Sequence, residues 1–133
     1  MLRLQDKRIF IVEDNASNRA IEQVLLERNG AKTMFDRWGT ETVERLQEFA
    51  PVDLIIMDLM LPDGVSGFDV AAQIRAMPQF ADVPIVVISA VDPAEALPIA
   101  RAKGLAGFIS KPIDFTQFPN QIARLIDGEK IWE

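Results

Sequence analysis

Residues 53–58 read DLIIMD, four consecutive apolar residues with an aspartate on each side. An uninterrupted apolar run of this length indicates a strand buried on both faces, which is typical of a parallel sheet. A similar run, RIFIV at residues 8–12, is followed at once by Glu13 and Asp14. Both predicted strands therefore end in acidic side chains, and the carboxyl ends of parallel strands meet at one edge of a sheet.

Strand and helix patterns alternate along the rest of the chain. Between Ala16 and Arg28, apolar residues recur at helical spacing, and Gly30 follows as a stop signal. The patterns predict strands at 8–12, 31–35, 53–58, 84–89 and 107–110, and helices at 16–28, 40–49 (capped by Thr40), 66–77, 93–103 and 115–126. Five strands that are each followed by a helix predict a doubly wound α/β fold, with right-handed crossovers covering both faces of a parallel sheet.

Two prolines, Pro98 and Pro119, fall within the last two predicted helices. Proline has no backbone donor, and its ring clashes with the preceding turn of a helix. We therefore expect a kink or a later helix start at each proline.

Composition limits the classes of function. With 133 residues, the chain has the usual size of one domain, and we expect a single domain over 1–133 with its core at about 7–127. Histidine and cysteine are absent, which excludes disulfides, thiolate chemistry and the commonest zinc ligands. The 14 basic and 20 acidic residues give a net charge of -6, which disfavours nucleic acid as a partner.

No apolar stretch is long enough for a membrane helix, and the N-terminal residues lack the apolar core of a signal peptide. We expect a soluble, cytoplasmic protein without a membrane partner. The chain shows no repeat or linker and ends shortly after the last predicted helix, so we expect no output domain in it.

Polar side chains close four of the predicted strands: Glu13 and Asp14 follow the first, Asp58 ends the third, Ser89 ends the fourth and Lys111 follows the fifth. Because these strand ends share one edge, we expect the five side chains to lie together. Three carboxylates in one place repel one another unless a cation lies among them. Mg²⁺, or Mn²⁺ in its place, suits such oxygen ligands.

The predicted cluster is suited to phosphoryl transfer. Asp58 can attack phosphorus as an oxygen nucleophile and form an aspartyl phosphate. The Lys111 ammonium and the Ser89 hydroxyl can each contact a phosphoryl oxygen. Taken singly, each residue has an ordinary explanation as a helix cap, a satisfied buried hydroxyl or a surface charge. Their order along the chain favours the chemical interpretation.

This ordered set resembles the receiver domain of two-component response regulators, over about residues 7–127. The matching features are the acidic pair Glu13–Asp14, Asp58 in the motif DLMLP, Ser89–Ala90, the aromatic Phe108 and Lys111–Pro112. The resemblance implies a flavodoxin-like strand order, 2-1-3-4-5. It also implies metal ligation by Glu13, Asp14, Asp58 and the Met60 backbone carbonyl, switch roles for Ser89 and Phe108, and a cis peptide bond between Lys111 and Pro112.

The loop after the expected phosphoacceptor departs from the family pattern. The family usually has proline, three residues and glycine, whereas residues 62–67 read PDGVSG and hold one residue more. In the family, the side chain at the position of Met60 faces the phosphoryl group. A thioether there cannot orient an attacking water as an amide or an acid could. We therefore expect slow to moderate autodephosphorylation.

The resemblance implies a signalling domain and not an enzyme. It would take a phosphoryl group from a sensor histidine kinase or a histidine phosphotransfer protein and signal by conformational change to a downstream protein target, as a monomer or a phosphorylation-dependent dimer. A single-domain regulator or a phosphorelay shuttle fits this description.

Three alternatives stay open. One is a phosphorylation-independent scaffold with the same fold. Another is a magnesium-dependent phosphatase with an aspartate nucleophile. This is disfavoured because Met60 stands where the haloacid-dehalogenase phosphatases have a second aspartate. A dinucleotide-binding role is weakest, since no G-x-G-x-x-G follows the first strand.

Overall fold

The computed structural model describes residues 3–132; Met1, Leu2 and Glu133, which fall inside the predicted domain bounds, lie outside the described residues. The strands are β1 (Arg8–Val12), β2 (Lys32–Asp36), β3 (Leu54–Met57), β4 (Ile85–Ser89), β5 (Gly107–Ser110) and β6 (Ile131–Trp132). The helices are α1 (Ala16–Arg28), α2 (Thr42–Phe49), α3 (Gly67–Arg75), α4 (Pro93–Ala102) and α5 (Phe118–Ile126). None of these helices is both long and apolar enough to cross a membrane.

The strands form one parallel sheet in the order β2-β1-β3-β4-β5-β6. The predicted doubly wound α/β fold and its strand order 2-1-3-4-5 are confirmed. The sixth strand was not predicted. It contains two residues, too few to show a periodic pattern, and its pairing with β5 depends on tertiary structure.

Alternate residues of each strand enter two separate cores. Phe10, Ile55 and Val87 pack on one face against side chains of α2, α3 and α4. Ile11 and Ile56 pack on the other face against α1 and α5. Full burial of one such side chain stabilises the fold by roughly 1.5–3 kcal/mol. Helices thus cover both faces, and the strand ends are held at fixed positions along the edge.

The start of α2 differs from the prediction. Thr40 was expected to cap the helix, but the helix begins at Thr42, and its N-cap residue, Glu41, makes no side-chain cap bond. Asp36, at the end of β2, takes this role from outside the helix. Its Oδ2 accepts hydrogen bonds from the Thr42 hydroxyl (2.7 Å) and the Glu41 backbone N–H (3.1 Å). A carboxylate at the end of the preceding strand therefore holds the start of α2.

The two prolines differ in their effects. The later start expected for Pro98 is wrong, because α4 begins at Pro93 and continues unbroken through Pro98. Asp92 caps this helix by accepting from the Ala94 backbone N–H, and the buried Ala96 and Ala100 anchor it on both sides of the proline. The last helix does start later than predicted, at Phe118, with its proline in the first turn, where no intrahelical donor is needed.

Candidate functional site

Backbone hydrogen bonds align the carboxyl ends of the central strands. The Asp58 N–H donates to the Val12 carbonyl (3.0 Å), which places the residue after β3 beside the end of β1. On the other side, the Lys111 N–H donates to the Ser89 carbonyl (3.0 Å), so the residue after β5 lies beside the end of β4. Side chains that are far apart in sequence therefore share one edge of the sheet.

The Lys111 ammonium joins two buried carboxylates. Its Nζ lies 2.6 Å from Glu13 Oε1 and 3.1 Å from Asp58 Oδ2. Glu13 is 2% exposed and Asp58 8%. Burial opposes the charge of Lys111, but the hydrogen bond that Lys111 donates to Glu13 and the negative charges of Asp58 and Glu13 outweigh it, so the lysine pKa is raised. Lys111 is therefore a fixed positive charge next to Asp58.

Glu13 is held in place by several contacts. Besides Lys111, the Asn15 backbone N–H donates to its Oε2 (3.2 Å), and the Arg19 guanidinium donates to its backbone carbonyl (3.2 Å). Burial raises the pKa of Glu13, the Lys111 hydrogen bond opposes this rise, and nearby Asp58 adds to it. The contact with Lys111 thus favours the ionised form of Glu13, in opposition to burial.

The expected gathering of three carboxylates around one cation is not observed. Within residues 3–132, no group of three or more acidic side chains is arranged to hold a metal ion. Lys111 engages Glu13 directly in this arrangement. Asp14, Asp58 and the Met60 carbonyl remain as oxygen donors, and Mg²⁺ usually takes one or two carboxylates and completes its shell with water. The residues present therefore fit Mg²⁺, and the ligand set of Glu13, Asp14, Asp58 and the Met60 carbonyl stays a prediction.

The two residues expected to act as a switch are both buried. Ser89 is 1% exposed, and its hydroxyl oxygen accepts a hydrogen bond from the Val91 backbone N–H (3.3 Å). The Phe108 ring is fully buried in the core between the sheet and α2, α3 and α4. The resemblance implies that this ring turns inward on activation. Because it is already inside, that motion is not available from the conformation described here.

The longer loop leaves the Asp58 backbone tightly packed. A Cβ atom on Gly67 would overlap the Asp58 carbonyl oxygen, and the Gly67 N–H donates to the Leu59 carbonyl (2.9 Å). Between them lies an exposed 3-10 turn, where Asp63 and Gly64 have φ angles of 58° and 73°. The longer loop therefore keeps a close contact between Gly67 and the Asp58 backbone.

Met60 flanks the site from the solvent side. It is 69% exposed, and its backbone N–H donates to Asp58 Oδ1 (3.3 Å). A β-bridge to Ser66 holds its backbone. The Met60 backbone therefore contacts the Asp58 carboxylate, while most of its apolar side chain is exposed to solvent. On the other side of the site, the Lys111–Pro112 peptide bond is cis.

Sequence reasoning missed Glu22, a buried acid near the site. This residue of α1 is 2% exposed, and its Oε1 has no hydrogen-bond partner in the described part of the chain. Burial raises its pKa to about 8, and the charge of Glu13 adds to this rise. A signal was present, since Glu22 lies one helical turn before Leu26, the other buried residue of α1.

Comparisons with known proteins agree with this geometry. The family model described as response regulator receiver domain matches residues 9–123. The chain is 29% identical over 119 residues to the CAI-1 autoinducer sensor kinase/phosphatase CqsS of Vibrio cholerae, covering 89% of this chain and 17% of that protein. It is 33% identical over 106 residues to the DNA-binding response regulator MtrA of Mycolicibacterium paratuberculosis, covering 80% of this chain and 45% of that protein. The chain thus spans less than half the length of these relatives.

Solved structures show the same similarity. A sensor protein from Polaromonas sp. JS666 superposes with a TM-score of 0.82 at 25% identity, covering 91% of this chain and 96% of that one. The phosphorylated cyanobacterial phytochrome response regulator RcpA superposes with a TM-score of 0.73 at 27% identity, covering 92% and 91%. The match to the family model, with an aspartate, a lysine and a glutamate joined at the expected edge of the sheet, shows that this chain belongs to the response regulator receiver domain family, the signalling domains of two-component systems.

Proposed function

We propose that this chain accepts a phosphoryl group on Asp58, in a reaction that requires Mg²⁺ or Mn²⁺, and signals through the resulting change at the site. The observation that carries the proposal is the Lys111 ammonium, 3.1 Å from Asp58 Oδ2 at the carboxyl edge of the sheet. This arrangement provides a buried oxygen nucleophile with a permanent cation beside it. We further propose that residues 1–133 act as one domain.

The residues of the site have distinct roles in this proposal. An Asp58 carboxylate oxygen forms a bond to phosphorus while the bond from phosphorus to the donor's leaving group breaks. Lys111 stays protonated, because its pKa is raised, and stabilises charge on a phosphoryl oxygen. The Ser89 oxygen accepts from the Val91 N–H, which leaves its O–H free to donate to another phosphoryl oxygen.

Receiver domains generally bind Mg²⁺. In this chain, Asp14, Asp58 and the Met60 carbonyl would hold the ion, which supplies positive charge against that of the transferring group. Glu13 contributes indirectly by orienting Lys111 through their 2.6 Å contact.

The switch follows from a change of partners at Lys111. A phosphoryl group adds a charge of about -1.5 to -2 next to the ammonium and provides strong acceptor oxygens. Lys111 then divides its donors between the phosphoryl group and Glu13, and Ser89 moves toward the new acceptor. Because Phe108 is already buried, we assign the first movement to Ser89 and Lys111.

The relatives support a phosphodonor of the two-component type. They include a sensor kinase/phosphatase and a DNA-binding response regulator. We propose that the donor is a histidine kinase or a histidine phosphotransfer protein, and that the output is contact with a downstream protein. The net charge of -6 disfavours nucleic acid as the direct partner of this domain.

The test is the intact mass of the protein after incubation with acetyl phosphate or phosphoramidate, with and without Mg²⁺. The variants are Asp58→Asn and, as a matched control, Asp69→Asn, since Asp69 is an exposed aspartate of α3. We expect the wild type and Asp69→Asn to gain one phosphoryl group only with Mg²⁺, and Asp58→Asn to gain none. No gain from either donor would favour the phosphorylation-independent scaffold, and a gain by Asp58→Asn would place the acceptor elsewhere.

A further inference from the structure

The last strand, β6, lies along the edge of β5. Ile131 pairs with Gly107 and Trp132 pairs with Phe108, in parallel register. The Ile131 backbone N–H donates to the Ala106 carbonyl (3.2 Å). A Cβ atom on Gly107 would overlap the Ile131 carbonyl oxygen, so the two backbones approach more closely than a larger residue would allow. β6 therefore covers an edge that would otherwise present unpaired backbone groups.

The two side chains of β6 enter different layers of the domain. Ile131 is 2% exposed and packs in the core on the α1 and α5 side of the sheet. Trp132 packs on the other side, against the core that contains Phe108. Because paired residues of neighbouring parallel strands point to the same face, Trp132 lies next to Phe108. The Arg101 guanidinium of α4 lies over the Trp132 ring, 5.0 Å from its centre. Trp132 thus connects α4 to the Phe108 position of β5.

Few contacts hold β6 in comparison with the rest of the sheet. β5 pairs with β4 over four residues, whereas β6 contains two. The connection from α5 to β6, residues 127–130, is exposed throughout. The ion pair between Arg124 and Glu129 is exposed as well, and such pairs contribute little to stability. Because a segment with fewer buried contacts opens at a lower free energy, β6 should open more readily than the central strands.

We propose that β6 is a latch that closes over the edge of β5, holds the Phe108 ring in the core and opens by local unfolding while the rest of the domain stays folded. Opening removes Trp132 from its place beside Phe108 and separates it from Arg101. The freedom of Phe108 to leave the core is therefore controlled by β6 and by its contact with α4. None of these steps needs a phosphoryl group on Asp58, so the latch goes beyond the proposed phosphorylation.

Native-state hydrogen exchange followed by NMR tests the opening, in the ¹⁵N-labelled wild-type chain without phosphodonor. The Ile131 amide reports on β6. The Ala106 amide donates to the Ile85 carbonyl (2.8 Å) and reports on the pairing of β5 with β4. We expect the protection factor of Ile131 to be about a hundredfold below that of Ala106, and its exchange to be nearly independent of urea below the unfolding transition. Equal protection with the same dependence on urea would mean that β6 opens only when the whole domain unfolds, which overturns the latch.

The contact with α4 is tested by Arg101→Met, which keeps the aliphatic part of the side chain and removes the guanidinium. Loss of the cation–π contact should lower the protection factor of the Ile131 amide about threefold. Lys103→Met is the matched control, since Lys103 is exposed and lies at the C-cap of the same helix, and it should leave this protection unchanged. If Arg101→Met has no effect, or no more than Lys103→Met, the role given to Arg101 is wrong.

The restraint on Phe108 is tested by Trp132→Ala. Three-bond couplings to the Phe108 Cβ protons measure which χ1 rotamers the ring occupies. We expect a single rotamer in the wild type and averaging between rotamers in Trp132→Ala. Trp38→Ala is the control, since it also removes a tryptophan but at an exposed position, and it should keep the single rotamer. A single rotamer in Trp132→Ala would show that Phe108 is held without β6 and would refute this restraint.

The hydrogen-exchange comparison uses the wild type alone, so the latch can be refuted even if a variant fails to fold. Because no phosphodonor is present, failure of these tests is distinct from failure of the proposed phosphorylation.

Discussion

Replacing Glu22 with glutamine should stabilise the protein increasingly as pH rises. The carboxyl is 2% exposed, and its pKa is raised from 4.5 to about 8 by burial and by the charge of Glu13. Between these two values the unfolded chain loses the proton while the folded protein keeps it. A rise in pH therefore favours the unfolded state of the wild type, and stability that is present below pH 4.5 is lost progressively up to pH 8.

The magnitude follows from this interval. Each pH unit between the two pKa values costs the wild type about 1.4 kcal/mol of folding free energy. At pH 5 the cost is below about 1 kcal/mol, and at pH 7 it reaches about 3 kcal/mol. Glutamine has a similar shape and carries no ionisable group, so Glu22→Gln should recover this amount.

Urea unfolding followed by far-ultraviolet circular dichroism at pH 5, 6, 7 and 8 measures the difference. The matched control is Glu48→Gln, since Glu48 is exposed on α2. Its free energy of unfolding should run parallel to that of the wild type at every pH. A constant offset between Glu22→Gln and the wild type would reflect altered packing and does not affect the test. If that offset did not grow between pH 5 and pH 7, the inferred burial of a neutral carboxyl would be wrong.

Three further perturbations test other parts of the molecule. Gly107→Ala places a Cβ against the Ile131 carbonyl oxygen and should detach β6. In a protein with its other tryptophan replaced, Trp132 fluorescence should then shift to the red. An unshifted spectrum would contradict the packing. Lys111→Met leaves its two carboxylate partners without their cation and should destabilise the fold by roughly 3 kcal/mol at pH 7, and by less at pH 4, in urea unfolding; equal losses at both pH values would argue against the ion pairs. Met60→Asn or Met60→Glu should speed dephosphorylation after removal of the phosphodonor, because either side chain can orient water; an unchanged rate would remove Met60 as the cause.

Local patterns predicted the fold because the periodicity of a strand or a helix can be recognised within a short segment. The bounds of β1, α1 and β5 agree with the prediction, since each has its own apolar run and end signal. The start of α2 could not be predicted, because the carboxylate of Asp36 that orders it belongs to β2. For β6 the cause is similar, since two residues become a strand only when the edge of β5 is present.

In the candidate site, too, part of the arrangement could be predicted from the sequence and part could not. The order of Glu13, Asp58 and Lys111 along the chain indicated that they share an edge, and the structure brings them within hydrogen-bond distance. Only the structure shows which carboxylate lies closer to the Lys111 ammonium, because this depends on distance and burial. Lys111 lies 2.6 Å from Glu13 and 3.1 Å from Asp58, while metal ligation by the three carboxylates stays a prediction.

The sequence by itself determined the alternation of strands and helices and the residues at the carboxyl edge of the sheet, because periodicity and chain order survive in one dimension, and the strand order came from the family resemblance. Tertiary structure alone decided the state of the buried groups. Glu22 differs from an exposed glutamate only because packing removes its water, and Phe108 is already inside because it packs in the core against α2, α3 and α4. Both depend on desolvation and packing by residues distant in the chain, which no local pattern contains.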